Sequence, residues 1–213
     1  MRNGSQSLMG LYAVLAVPFV LNDIANIFVT DYRVWIGIDY IFVKALPIVI
    51  LVWAAARGMV RPEDLGLQRL TPALFVFYAL GMSVVGILLD TWGLAFFESL
   101  VPGGKLGSVP VMEGTALGAV DATIGLFFVG VVEEVIFRGL AWTAIMRATG
   151  APGVAVGLSA LVFGAIHWSL GPAAVANAAV IGGVFSLCMW RTGSVYPLII
   201  AHCIVDVLYF GGA

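Results

Sequence analysis

The hydrophobic residues of this chain gather into long runs separated by short polar or glycine- and proline-rich breaks. The runs cover residues 8–29, 34–56, 72–97, 115–148, 153–168, 173–190 and 195–210. A helix needs about 20 mostly apolar residues to cross a bilayer. The pattern therefore predicts an all-α fold, a polytopic transmembrane helix bundle of about seven spans. The breaks have their own chemistry. Thr149-Gly-Ala-Pro152, Gly171-Pro172 and Arg191-Thr-Gly-Ser194 are helix stops and turns. Residues 57–71 carry Arg57, Arg61, Pro62, Glu63, Asp64 and Arg69, and read as an interfacial segment with a short amphipathic turn. Residues 99–114 are rich in glycine and proline and read as a loop.

Composition turns this pattern into a statement about solvent. Hydrophobic residues make up 62% of the chain and charged residues only 10%, against about 25% charged in a soluble domain. So few charges cannot solvate an aqueous surface, so the partner implied is the lipid bilayer, and the protein is expected to be integral and multi-pass. A net charge of -2 gives no reason to expect nucleic acid. Cys188 and Cys203 both lie in apolar runs, and no disulfide framework follows. The first run is too long for a cleaved signal and carries Asn22, Asp23 and Asn26, so it reads as a retained helix. With the N-terminus in the cytoplasm, Arg2, Arg57, Arg61, Arg69, Arg147 and Arg191 lie inside and only Arg33 and Lys105 outside. The positive-inside rule predicts that orientation.

Ionisable residues inside spans need a reason to be there. The fourth run contains Glu133, Glu134 and Arg138. Glu134 and Arg138 are four apart on one helical face and can pair, while Glu133 points about 100° away. One carboxylate is then held by the arginine while its neighbour faces something else. The chain's two histidines both fall in predicted spans, His167 in the fifth and His202 in the last, where Asp206 follows four residues later. Measured from the turns at 147–152 and 191–194, helix rise sets Glu133 and His167 roughly 21–22 Å deep and His202 with Asp206 roughly 12–18 Å deep. Three helices thus bring carboxylates and imidazoles to comparable depth. The expectation is one shared polar cavity holding Glu133, His167 and His202, open toward the cytoplasm. Asp23, Asp39, Lys44 and Asp90 read as interhelical pairs or interface residues. Trp35, Trp53, Trp92 and Trp168 read as interface belts, and Gly182-Gly183 as a point of close helix approach.

Glu133-Glu134-x-x-x-Arg138, Phe163-x-x-x-His167 and His202-x-x-x-Asp206, in that order, resemble the motif set of the CPBP family. This is the family of CAAX proteases and bacteriocin-processing enzymes, also called Abi. Asp64-Leu-Gly-Leu67 ahead of a span is similar to it as well. The resemblance covers residues 121–210. It implies an N-terminal part, residues 1–114, of transmembrane helices and the interfacial segment, and a catalytic bundle at residues 115–213, within one membrane domain. It also implies intramembrane peptide-bond hydrolysis: Glu133 as general base, His167 holding the same water, Glu134 and Arg138 positioning the base, and His202 with residue 206 stabilising the oxyanion. The substrate implied is a peptide or protein, prenylated or membrane-bound.

One position departs from the family. The prenyl-protease branch has asparagine where this chain has Asp206, and an ionised aspartate donates no hydrogen bond. Asp206 must then be protonated, orient His202 or bind a metal. Glu133, His167 and His202 are ligand types that zinc accepts, so a divalent metal on these three and a metal-free, glutamate-activated water are both consistent with the sequence. No H-E-x-x-H stretch is present. Two other function classes compete. A transporter or proton relay would also use membrane glutamates and histidines, but the chain has no internal repeat of the transporter kind. A non-catalytic scaffold or immunity factor would have no need of the intact motif residues.

Overall fold

Every apolar run becomes a helix in the computed structural model, which describes residues 2–101, 103–110 and 114–210. The helices are α1 (Arg2–Phe28), α2 (Tyr32–Ala56), α3 (Pro72–Leu100), α4 (residues 116–149), α5 (Pro152–Ala165), α6 (Pro172–Thr192) and α7 (Tyr196–Phe210). Two 3-10 turns, Pro62–Leu65 and Trp168–Leu170, join α2 to α3 and α5 to α6. Among the described residues, α1, α2, α3 and α6 are long and apolar enough to cross a membrane. The helices α5 and α7 are apolar but shorter. α4 is long, and it carries Asp121, Glu133, Glu134, Arg138 and Arg147.

The ends follow local chemistry. Pro72, Pro152 and Pro172 open their helices, where a missing N–H costs nothing. Gly150 and Gly193 close α4 and α6 at φ 67° and 64°, a left-handed conformation that residues with a Cβ avoid. Asp31 caps α2 by accepting from the N–H groups of Arg33 and Val34.

The fourth helix is the axis of the bundle. Residues 132–141 of α4 are all buried. The N-terminal half of α1 packs Leu8, Tyr12, Leu15 and Phe19 into the same core. α5 and α6 form a tight antiparallel hairpin, and α7 lies against α3 and α4. A Cβ on Gly182 would stand 3.2 Å from Phe163, and one on Gly164 would stand 2.6 Å from the carbonyl oxygen of Val175. The close approach expected at Gly182 is thus realised. The third helix is the opposite case: Phe77 and Trp92 are each 69% exposed, a lipid-facing surface. The helical membrane bundle read from the pattern is the fold observed.

Helices α2, α3 and α4 are not uniform. They widen into π-helical turns at Ile38–Ala45, Leu89–Gly93, Asp121–Gly125 and Val135–Leu140. Each of these turns carries an ionisable side chain: Asp39 and Lys44, Asp90, Asp121, and Arg138 respectively. Wide turns of this kind concentrate at functional sites.

The interfacial segment is a clip. The carbonyl oxygen of Leu65 lies so near Gly139 of α4 that a Cβ there would stand 2.1 Å from it. The N–H of Val195 donates to the carbonyl of Gly66 at 2.9 Å, Leu67 bridges Ser194, and Arg147 pairs with Asp64. Asp64-Leu-Gly-Leu67 therefore ties α4 to the start of α7.

Two expectations are corrected. α5 ends at Ala165, so His167 lies in the turn beyond it rather than on the helix. That turn is held from outside: the N–H of Ser169 donates to Asp23 of α1, and Asn26 donates to the hydroxyl of Ser169. Trp35 belongs to no belt. It is 7% exposed, and its indole N–H donates to Asn26. Cys188 and Cys203 are free thiols.

Candidate active site

Adjacent glutamates on α4 meet different surroundings. Glu134 has no exposed surface. Its Oε2 lies 3.3 Å from Arg138 Nε, one turn on. Its Oε1 lies 2.7 Å from Nδ1 of His202 on α7. The Arg138 guanidinium stacks 3.7 Å from the centroid of the Phe163 ring, so an arginine without water has an aromatic face as well as a carboxylate. The pair expected from the four-residue spacing is present, and a histidine completes it.

Glu133 faces the other way, as the helical angle requires. Its Oε1 accepts a hydrogen bond from Lys44 Nζ at 3.0 Å. Its Oε2 lies 3.8 Å from His202 Nε2. Lys44 comes from the π-helical part of α2 and lies 3.4 Å from Asp39 on the same turn. Asp39 in turn accepts from Asn22 of α1 at 2.8 Å.

The two imidazoles have readable proton positions. His167 Nδ1 lies 2.8 Å from the carbonyl oxygen of Phe163. A carbonyl only accepts, so Nδ1 carries the hydrogen, and Nε2 of the neutral ring is an acceptor. His202 Nδ1 faces the Glu134 carboxylate by the same logic. Its Nε2 then lies among acceptors, 3.5 Å from Asp206 Oδ2 and 3.8 Å from Glu133 Oε2. Three carboxylates thus surround one ring, Glu134 at Nδ1 and Asp206 and Glu133 near Nε2.

Glu133, His167, His202 and Asp206 line one cavity of about 190 Å³. Lys44, Asp39, Tyr40 and Asp121 form its opposite wall. Tyr32 and Tyr40 both donate to Asp121. A second cavity, about 150 Å³, adjoins the first at His167, His202 and Asp206 and is bounded by Asp90, Asn177 and Phe185. The histidines thus stand between two spaces.

The larger cavity extends from Glu133 toward Tyr32, Val109, Pro110 and Gly118. Those residues flank the turn at 29–31 and the loop at 103–110. This is the face opposite Arg57, Arg61, Arg147 and Arg191. A cytoplasmic N-terminus and a cavity open to the cytoplasm, both expected, therefore cannot hold together.

All six residues singled out on α4, α7 and the α5–α6 turn come together: Glu133, Glu134, Arg138, His167, His202 and Asp206. Asp23, Asp39 and Lys44, which α1 and α2 bring to the wall, read from sequence as interhelical pairs or interface residues, although an ionisable residue within an apolar span is itself a signal. A divalent metal fits this arrangement poorly. Among the described residues no three histidine, cysteine or acidic side chains are grouped as ligands. The ammonium of Lys44 already sits on one oxygen of Glu133.

Compared with known proteins, residues 115–208 match the family model of type II CAAX prenyl endopeptidase Rce1-like proteins. No curated protein and no solved structure matches the chain.

Proposed function

We propose, from the match of residues 115–208 to the type II CAAX prenyl endopeptidase family, that this chain is a membrane protease of that family and hydrolyses peptide bonds within the bilayer by a glutamate-activated water. The observation that carries the proposal is the asymmetry at Glu133: one carboxylate oxygen engaged by Lys44, the other directed to His202 at the cavity.

The steps need only side chains and water. Water binds between Glu133 Oε2 and the acceptor Nε2 of His167. Glu133 takes its proton, and the hydroxide oxygen attacks the carbonyl carbon of the scissile bond. Charge moves to the carbonyl oxygen, where Nε2–H of the His202 imidazolium donates to it, a donor already aimed at the developing charge. Collapse breaks the C–N bond, and the proton held by Glu133 passes to the leaving amine. Glu134 fixes the His202 ring through Nδ1, and Arg138 fixes Glu134. Asp206 acts as a carboxylate that keeps His202 charged; its approach to Nε2 supports this role over that of a protonated donor. No step passes through a metal.

A C-terminal Cys-aliphatic-aliphatic-X peptide carrying a prenyl group is the substrate class nearest to the family. We further propose that the chain acts as one membrane domain and that its N-terminus is cytoplasmic, in which case the cavity receives substrate from the opposite face. The test is cleavage of an internally quenched, farnesylated Cys-aliphatic-aliphatic-Met peptide by the purified protein in detergent. Glu133→Gln should remove turnover while leaving the unfolding temperature within a few degrees. Equal turnover by wild type and variant, or none by wild type, overturns the proposal.

A further inference from the structure

Lys44 lies outside the stretch that matches the family, on a helix with none of the motif residues. It is nevertheless 4% exposed and reaches the centre of the site. Its ammonium donates to Glu133 Oε1 at 3.0 Å, stands 3.4 Å from Asp39 and lies 4.6 Å above the Phe19 ring. Both oxygens of Glu134 are committed, to Arg138 and to His202. Only one oxygen of Glu133 is committed, and the group that holds it is Lys44. Without that ammonium nothing distinguishes the two oxygens of Glu133, and the carboxylate is free to turn both toward the His202 ring.

The local backbone explains how the lysine arrives there. Asp39 and Lys44 are five residues apart, a spacing that an α-helix turns to different faces. The π-helical segment Ile38–Ala45 hydrogen-bonds from i to i+5 and brings them side by side. The ammonium thus carries a counter-charge from its own helix and keeps a second contact for Glu133.

We infer that Lys44 is a positioning residue for the hydrolysis: it fixes Glu133 through Oε1 so that Oε2 alone is presented to water, and the N-terminal helices thereby complete the catalytic site. This inference rests on Glu133 being the base.

The experiment compares Lys44→Met, Lys44→Arg, Lys44→Met/Asp39→Asn and Glu133→Gln in the full chain, with the farnesylated quenched peptide as probe. Lys44→Met should lower kcat at least a hundredfold with KM within twofold, and Lys44→Arg should recover part of the loss. The double variant removes both members of the Lys44–Asp39 pair, so it should regain the unfolding temperature but not kcat. If it regains both, Lys44 only neutralises Asp39 and the inference is overturned. If Glu133→Gln is inactive and Lys44→Met turns over like wild type, the inference fails while the base assignment stands. If wild type does not cleave the probe, or Glu133→Gln cleaves it normally, the functional reading fails instead. The contact is then judged by unfolding temperatures alone, where additive shifts from Lys44→Met and Glu133→Gln would show that the two residues do not act on each other.

Discussion

The two ends of the molecule handle buried charge in different ways. In α4 and α7 two of the pairs lie within one helix, Glu134 with Arg138 and His202 with Asp206, each four residues apart, while His202 on Glu134 joins the two helices. In α1 and α2 the partners lie mostly on other elements: Lys44 on Glu133, Asn22 on Asp39, Asp23 on the N–H of Ser169, Tyr40 on Asp121. The first kind of pairing stabilises a helix by itself, and the second kind joins helices. The contacts of the N-terminal region thus hold Glu133 and the α5–α6 turn in register with the C-terminal bundle.

Substitutions can break or sharpen this contrast. The largest effect is expected from Arg138→Ala, which leaves Glu134 buried with no cation on its own helix. Breaking a buried pair from one side costs about 3–5 kcal/mol. Thermal unfolding in detergent should show a large loss along with the loss of turnover, and a variant as stable as the parent would mean that the within-helix pairs carry no structural weight. Next comes Gly139→Val, where new methyl groups meet the carbonyl of Leu65. Overpacking of this kind costs about 1–3 kcal/mol, read as a lower unfolding temperature; no change would show that the clip is loose.

A smaller effect, on activity alone, is expected from Asp206→Asn. With the carboxylate gone, His202 Nε2 loses one of two anionic neighbours, and kcat should fall about tenfold, or about 1.4 kcal/mol on the barrier. The drop should persist across the pH–rate profile. Undiminished or higher activity in the asparagine variant would instead make residue 206 a hydrogen-bond donor. The smallest effect is expected from Phe77→Ala on the lipid-facing side of α3. A substitution away from caps, core and buried pairs stays within about 0.5 kcal/mol, and a larger loss of stability would show that α3 carries an interface.

What was legible in the sequence follows the same division. The seven helices could be read because apolar runs and Gly/Pro stops are local signals. Glu134–Arg138 could be read because a four-residue spacing maps directly to one helical face. His167 was set on a helix because Phe163-Gly-Ala-Ile continues an apolar pattern, whereas the turn that releases it depends on Asp23, over 140 residues away in the chain. Lys44 could be seen as an anomaly in an apolar span, but its direction could not. Asp39 and Lys44 are five apart, and only a widened turn, which no residue type announces, puts them together. Matched depth says nothing about which end of a cavity is open; the loop at 103–110 and the first turn of α2 lie at the open end.

The wide turn in α2 also bears on how such a protein enters the bilayer during synthesis. An uncompensated charge at the centre of an inserting helix costs about 2.5–3.5 kcal/mol. α2 leaves the ribosome before α4, with Asp39 and Lys44 offsetting each other on adjacent positions of the π turn. α4 follows with Glu134 and Arg138 matched, and with Glu133 paired to no cation of its own helix. The cation that relieves it is by then already in the membrane, 89 residues upstream. The order of the helices along the chain therefore places the pairing cation ahead of the carboxylate it meets.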